Sequence, residues 1–416
     1  MPEAQKAWGV ITMKILVVNK FLYNKGGSET YIFNLFEYMK KLGHEVEYFG
    51  MEDPNNIAGN SAKQYVSGMN FKGNIIKKAT YPFKVIYSFE AKNKIGKVIR
   101  SFKPDVVHLN NYNYQITPSI LYEIKKYNLP VIQTLHDPQL VCPYHRLYNY
   151  KKKENCEKCA NGKFLNCVSQ RCIDDSVLKS LIGAAESYIY HKLKTYDMVD
   201  CFISPSEFLK QKIFSMNCAL TKDKFVVLHN FTNESIMEYN ANKKPYVLYF
   251  GRISAEKGIQ TLITACKKLP HIKFRFIGSG ELENELKDIC NVEFLGFKSG
   301  EELKNIICEA LFSIYPSEWY ENCPMSILES QMYCTPVIGA DIGGIPELID
   351  NNIDGLLFRS GDANDLTDKI KYLYENNEIL KQYSQKCIEK TKKFSIQKYY
   401  SNLMHTYNKA IQKHLR

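Results

Sequence analysis

The chain has 416 residues, 45% of them hydrophobic and 24% charged, with 22 Gly, 15 Pro and a formal net charge of +11. That length exceeds what one hydrophobic core usually serves, which predicts two domains, and the composition excludes disordered, collagen-like and low-complexity classes. No run approaches the ~18 apolar residues of a membrane span, and the opening Met-Pro-Glu-Ala-Gln-Lys lacks the apolar core of a secretion signal, so the expectation is a cytoplasmic protein whose 13 cysteines are mostly reduced.

Residues 1–12 read as a leader, because Met13-Lys14-Ile15-Leu16-Val17-Val18 has the character of an opening strand. Short apolar runs then alternate with helical patterns: Ile15 to Val18, Val46 to Phe49, Val106 to Leu109, Val131 to Leu135, Cys201 to Ser204 and Val226 to Leu228 in the first half. The second half repeats the plan with Val247 to Phe250, Phe274 to Ile277, Val292 to Leu295, Phe312 to Tyr315 and Val337 to Gly339. Strands separated by helices are the mark of parallel sheets, so the predicted fold class is α/β, with two Rossmann-like doubly wound domains. Ligands of such sheets bind beyond the carboxyl ends of the strands, and two domains facing each other make one deep cleft. The expected boundaries are 13–235 and 244–393, separated by polar residues between Asn233 and Lys244 and followed by a helical segment over 394–416.

After the first strand, Gly26-Gly27 precedes Ile32, Leu35, Phe36, Met39 and Leu42 at helical spacing, with Gly43 as a stop. Paired glycines admit close backbone approach, and a helix N-terminus offers free N–H groups to an anion. From Phe71 to Pro104, Lys72, Lys77, Lys78, Lys84, Lys92, Lys94, Lys97, Arg100 and Lys103 outnumber the single acid Glu90, with Tyr81, Phe83, Tyr87 and Phe89 interleaved. Nucleic acid, anionic lipid and an anionic substrate all fit such a stretch, as does a solvated helix face. Between 142 and 172 hydrophobic periodicity lapses and Cys142, Cys156, Cys159, Cys167 and Cys172 accumulate. A C-x-x-C turn with further cysteines reads as a structural zinc site that would replace the missing core.

Gly251-Arg252 through Lys257-Gly258 follows a strand, which aims Arg252 and Lys257 at the cleft as anchors for a diphosphate. Gly278-Ser279-Gly280 closes the next strand, but Glu283 stands where a dinucleotide-binding fingerprint has its third glycine, which argues against NAD. In Tyr315 to Ser330, Pro324 predicts a helix starting near Cys323, with Glu321 in the loop before it and Glu329 inside it, able to hold vicinal hydroxyls.

Glu321 and Glu329 form an E-x7-E pattern, and the chain resembles glycosyltransferase family 4, whose motifs it carries in order. Those are Met13 to Leu16 with Gly26-Gly27, Ser204-Pro205-Ser206, Gly251-Arg252 with Lys257-Gly258, Gly278-Ser279-Gly280, Thr335 to Ile338 and Gly343 to Glu347. The resemblance implies a GT-B fold and retaining transfer of a hexosyl group from a UDP- or GDP-sugar to a glycan or lipid-linked acceptor, with no catalytic metal. It assigns donor binding to Gly26, Gly27, Arg252, Lys257, Gly278, Gly280, Met325 and Glu329, and the chemistry to His136 and Glu321. It implies a last helix that crosses back onto the first domain. Members of surface-polysaccharide pathways with a similar insert point to Cys142, Cys156, Cys159 and Cys172 as zinc ligands. Many members have glycines at 322–324, whereas this chain has Asn322-Cys323-Pro324, and Pro324 has no N–H for a sugar hydroxyl. A GT-B nucleotide-sugar epimerase and a basic nucleic-acid-binding protein are the competing classes; no recognition-module pattern supports the latter. The basic, aromatic stretch is expected to meet the inner membrane leaflet, where lipid-linked acceptors lie.

Overall fold

The computed structural model describes residues 12–68, 83–232 and 243–415. Residues 1–11 of the expected leader, 233–242 of the polar boundary, and Lys72, Lys77, Lys78 and Tyr81 of the basic stretch lie outside the described residues.

The first half contributes strands β1 (Lys14–Val18), β2 (Glu45–Phe49), β3 (Val106–Leu109), β4 (Val131–Thr134), a short hairpin of β5 (Tyr148–Asn149) and β6 (Glu154–Asn155), then β7 (Cys201–Ser204) and β8 (Phe225–Val227). The second half supplies β9 (Tyr246–Phe250), β10 (Lys273–Ile277), β11 (Val292–Phe294), β12 (Phe312–Tyr315), β13 (Val337–Ala340) and β14 (Gly355–Phe358). Each half builds a six-stranded sheet, ordered β2-β1-β3-β4-β7-β8 and β11-β10-β9-β12-β13-β14. The pairings within both are parallel. Helices cover both faces of such sheets, which is why β3, β4 and β9 are buried along their whole length and read as continuous apolar runs.

Strand order reverses between β1 and β3 in the first sheet and between β9 and β12 in the second. At such switch points the flanking βα loops diverge and leave a crevice. The loops that diverge here are those after β1, β3, β9 and β12, and they carry most of the residues singled out by sequence.

Two elements escaped the sequence reading. Strand β14 is a four-residue run between polar loops, too short to show a period, and only its pairing with β13 defines it. The β5–β6 hairpin lies within the cysteine insert. The helix after Glu321 runs Met325–Met332, with Pro324 as its extended N-cap, two residues later than expected from Cys323.

The chain ends in the helix Ile396–His414, whose Tyr399, Leu403, Tyr407 and Ala410 pack in one core with Ile15, Val17, Val106, Ile132 and Ile203 of the first sheet. The Tyr407 hydroxyl lies 2.5 Å from His108 Nδ1, and His108 Nε2 lies 2.8 Å from Thr134 Oγ1. Thr232 N–H donates to Phe394 carbonyl at 2.9 Å, so the strand leading out of the first half is bridged to the segment that returns to it. Leu403 is fully buried in this contact. Leu403→Ala is expected to lower the unfolding free energy by about 2–5 kcal/mol, read from chemical denaturation of the full chain.

Candidate functional site

Between the halves lies a cavity of about 1070 Å³. Its walls come from the loop after β1 (Lys20, Phe21, Lys25, Gly26, Gly27), the loop after β3 (Asn111, Tyr114), the end of β4 (His136, Asp137), and from Arg252, Lys257 and Trp319 to Ser326 of the second half. Of the residues expected at the site, Gly26, Gly27, His136, Arg252, Lys257, Glu321 and Met325 line this one cavity.

Glu321 is 7% exposed. Its Oε1 accepts from Tyr315 hydroxyl at 3.1 Å, Ser317 hydroxyl at 2.9 Å, Trp319 Nε1 at 2.6 Å and Lys257 Nζ. Burial alone would raise this carboxyl, but the charge and hydrogen bond of Lys257, with those of Trp319 and Ser317, reverse the effect and hold it below its ordinary value. Its backbone is fixed as well: Gly344 N–H donates to Glu321 carbonyl at 2.7 Å, and Gly343, at φ +62°, passes so close that a Cβ would stand 2.4 Å from that oxygen. The Gly343-Gly344 turn therefore serves to seat Glu321.

Cations gather around the Trp319 ring, with Lys257 Nζ at 5.1 Å, Arg252 at 5.7 Å and Arg146 at 5.6 Å from its centroid. Arg252 also pairs with buried Glu256 at 2.8 Å. Arg146 belongs to the first half, and its position at the Trp319 ring was not legible in sequence, because only the tertiary fold brings the cysteine insert over the β12 loop. Trp319 itself carried a weak signal, being one of two tryptophans in the chain and set between Glu318 and Glu321.

On the opposite wall, His136 Nε2 lies 2.9 Å from Asn110 Oδ1 and its ring meets Tyr31 edge-on at 5.2 Å. With an oxygen as partner, Nε2 carries the proton and Nδ1 is left as an acceptor. Burial lowers His136 to about 4, Asp137 opposing, and lowers His145 to about 4 in the same way. Lys20 is lowered by burial, with Asp137 and Glu29 opposing.

The two halves are fastened around this space. Asn322 Nδ2 donates to His136 carbonyl at 2.9 Å, and Asn230 Nδ2 donates to Cys323 carbonyl at 2.7 Å. Glu347 accepts from the amides of Glu207 and Phe208 at 2.8 and 2.7 Å, at the start of the helix Glu207–Ser215, and from His229 at 2.7 Å.

Three expected donor residues do not line the cavity. A Cβ on Gly278, at φ +140°, would stand 1.8 Å from Gly251 carbonyl, and one on Gly280 would stand 2.2 Å from that of Ile253. What demands glycine there is the packing of the 278–280 loop under the loop that carries Arg252. Glu329 sits on the helix Met325–Met332, half-buried and engaged with partners of its own.

The sequence matches the family model described as Glycosyltransferase Family 4 over residues 25–235 and that described as Glycosyl transferases group 1 over residues 232–394. The chain belongs to glycosyltransferase family 4. An uncharacterized 42.6 kDa protein in the cps region of Klebsiella pneumoniae is 24% identical over 81% of this glycosyltransferase and 87% of its own length. The O-antigen biosynthesis glycosyltransferase WbnH of Escherichia coli is 29% identical over 54% of this chain and 62% of its own. Several other curated relatives are spanned over only about half of their length (51%, 54% and 48%). Among solved structures, Anabaena HepE in complex with UDP superposes with a TM-score of 0.66 at 15% identity, covering 95% of this chain and 100% of that one. The fold is GT-B.

The expected zinc site is not shown, although burial, with Cys142, Cys172 and Cys156 near enough to add to it, pushes the Cys159 thiol up. Among the described residues no three His, Cys, Asp or Glu side chains gather so as to hold a metal, and Cys142, Cys156, Cys159 and Cys172 are free thiols. Cys159 and Cys167 bury with Phe164 and Ala184 in a small apolar cluster flanked by Val168, Cys172 and Ile173, which gives the insert a core of its own. It also leans on the second half, through Asn155 Nδ2 to Glu318 carbonyl at 2.9 Å and Tyr320 hydroxyl to Glu157 at 2.7 Å.

Lys257 and Glu321 side chains are 14% and 9% exposed. Lys257→Met leaves a buried carboxylate without its cation and is expected to cost about 3–5 kcal/mol of stability in denaturant unfolding. Adding Glu321→Gln recovers part of that loss, a recovery that would be absent were the pair energetically idle.

Unfolding returns His136 and His145 to the ordinary value of ~6.5, so between about pH 6.5 and 4 the unfolded chain binds protons that the folded chain refuses. Stability is expected to fall as pH drops through that window. His136→Gln makes the slope of unfolding free energy against pH shallower by up to about 1.4 kcal/mol per pH unit.

Proposed function

We propose that this glycosyltransferase moves a hexosyl group, with retention of anomeric configuration, from a UDP- or GDP-sugar to a glycan or lipid-linked acceptor in cell-surface polysaccharide synthesis. The observation that carries the reading is the convergence of Arg252, Lys257 and the buried Glu321 in one cavity between two switch points. The relatives named for O-antigen biosynthesis and for a cps region support the pathway, and the UDP bound to HepE supports a nucleoside-diphosphate donor. The setting fits the cytoplasmic face of a membrane.

In this reading the diphosphate lies beside Arg252 and Lys257, with the amides of Gly26 and Gly27 at the start of the helix Gly27–Lys41 facing it. Gly27 is exposed, and a Cβ there would meet nothing within 4 Å, so the approach to this turn is open. Met325 borders the donor, and Glu329, one turn further along the same helix, takes the ribose hydroxyls. Glu321 and the neutral His136 hold the sugar. The bond from the anomeric carbon to the phosphate oxygen breaks as the acceptor hydroxyl approaches from the same face, the acceptor proton passes to the departing phosphate, and the charge growing on the diphosphate is met by Arg252 and Lys257. Because Lys257 also holds Glu321, the phosphate and the carboxylate share one cation, which couples sugar seating to departure.

A thermal-shift screen of nucleotide sugars with the full chain is expected to single out one donor that raises the melting temperature. Glu329→Ala should abolish that shift, with circular dichroism and unfolding of the free variant checking that it still folds. NMR of the product should show the donor's anomeric configuration; an inverted product or a free epimerised donor would refute the assignment.

A further inference from the structure

The helix Val177–Lys192 has its polarity reversed. Its buried side carries Ser180, Gly183, Ala184, Glu186, Ser187 and Tyr190. Its outward side carries Val177, Leu178, Leu181, Tyr188 and Ile189, between 37% and 63% exposed, and Leu193 continues the stripe at 58%. Those positions fall at helical spacing on one face, so the exposure is not a scatter of single residues but a band. Phe83 and Phe89, 76% and 71% exposed, lie on the adjoining segment, which is joined to this helix by the Tyr190 hydroxyl donating to Ile86 carbonyl. A band of this kind, on a helix that buries a carboxyl instead, marks a surface with a partner.

Two observations identify the partner. The first is charge. The exposed acids Asp174 and Asp175 stand at the head of the helix, where Asp174 pairs with Lys179 at 2.7 Å; along the rest of it the one acid, Glu186, is buried, while Lys192 and Lys194 are exposed, as is Lys84 beside Phe83. Apolar and aromatic side chains rimmed by lysines complement an anionic lipid leaflet. The second is continuity. Leu178 belongs to the exposed band and also lines the inter-half cavity, where Ile173, Ile182 and Val85 extend the apolar wall. The band therefore runs without interruption from the outer surface to the space facing Arg252 and Lys257.

We infer that this band docks on an anionic membrane leaflet and that the apolar wall of the cavity receives the lipid-proximal part of a lipid-linked acceptor. The acceptor clause rests on the transferase reading above; the docking clause does not. Docking places the open side of the cavity against the leaflet, so an acceptor reaches the anomeric carbon while its hydrocarbon stays in the membrane.

The test uses the full chain in flotation with phosphatidylcholine vesicles, with and without phosphatidylglycerol, comparing wild type with Leu181→Gln/Ile189→Gln. Both substituted positions are exposed and lie outside the cavity lining. The wild type should float with the anionic vesicles, and the variant's partitioning should fall by about tenfold or more. An unchanged melting temperature and an unchanged nucleotide-induced shift in the variant exclude a folding defect. Equal flotation of the two proteins overturns the inference. So does a wild type that ignores vesicles but sedimentates as a dimer which the variant dissociates, since a second copy would then cover the band. If flotation behaves as expected while no nucleotide shifts the melting temperature, the docking surface stands and the donor reading falls.

Discussion

A buried carboxylate organises the centre of this molecule. Glu321 cannot be charged in that position unless its neighbours make it so, and a loop of four donors, Lys257, Tyr315, Ser317 and Trp319, is arranged to do it. Tyr315 ends β12, Ser317 and Trp319 follow it in the next loop, Lys257 closes the loop after β9, and the glycine turn after β13 pins the Glu321 backbone. Lys257 cannot drift from this position without stranding a charge, so the cation that faces the cavity is held in place by the acid beside it.

The glycines of the second half serve the same end by a different route. Gly278 and Gly280 let one loop pass beneath another at distances no side chain would allow, which lifts Arg252 toward Trp319. Sequence comparison alone assigns such glycines to ligand contact. In this structure what demands glycine at both positions is loop-on-loop packing against the carbonyls of Gly251 and Ile253.

The first half supplies what the second lacks. His136 presents a neutral imidazole because burial excludes the charged form, and Arg146 reaches across from the insert to the ring that Arg252 and Lys257 also face. Glu347, at the start of the helix Glu207–Ser215, and the returning helix Ile396–His414 bind the halves away from the cavity, so its shape is set by contacts at both ends of the seam. The same half turns an apolar helix face outward next to the cavity mouth, which ties its surface to the chemistry that the cavity supports.

Much of this was legible in the residues alone. Continuous apolar runs separated by helical periods specify parallel strands, because a strand covered on both faces leaves no room for polar alternation, and eleven of those runs are strands of the two sheets. Glu321, Arg252, Lys257, His136 and the Gly26-Gly27 pair were placed near strand ends by local pattern, and local pattern suffices there because a strand end fixes where its loop points. Partners distant in sequence were not legible: Trp319 among three cations, Arg146 at the ring that Arg252 also faces, and the outward apolar face of Val177–Lys192. The cysteine insert is the plainest instance. Its spacing singled out the cysteines, but that Cys159 and Cys167 pack with Phe164 and Ala184 follows from non-local contacts that only the tertiary structure decides.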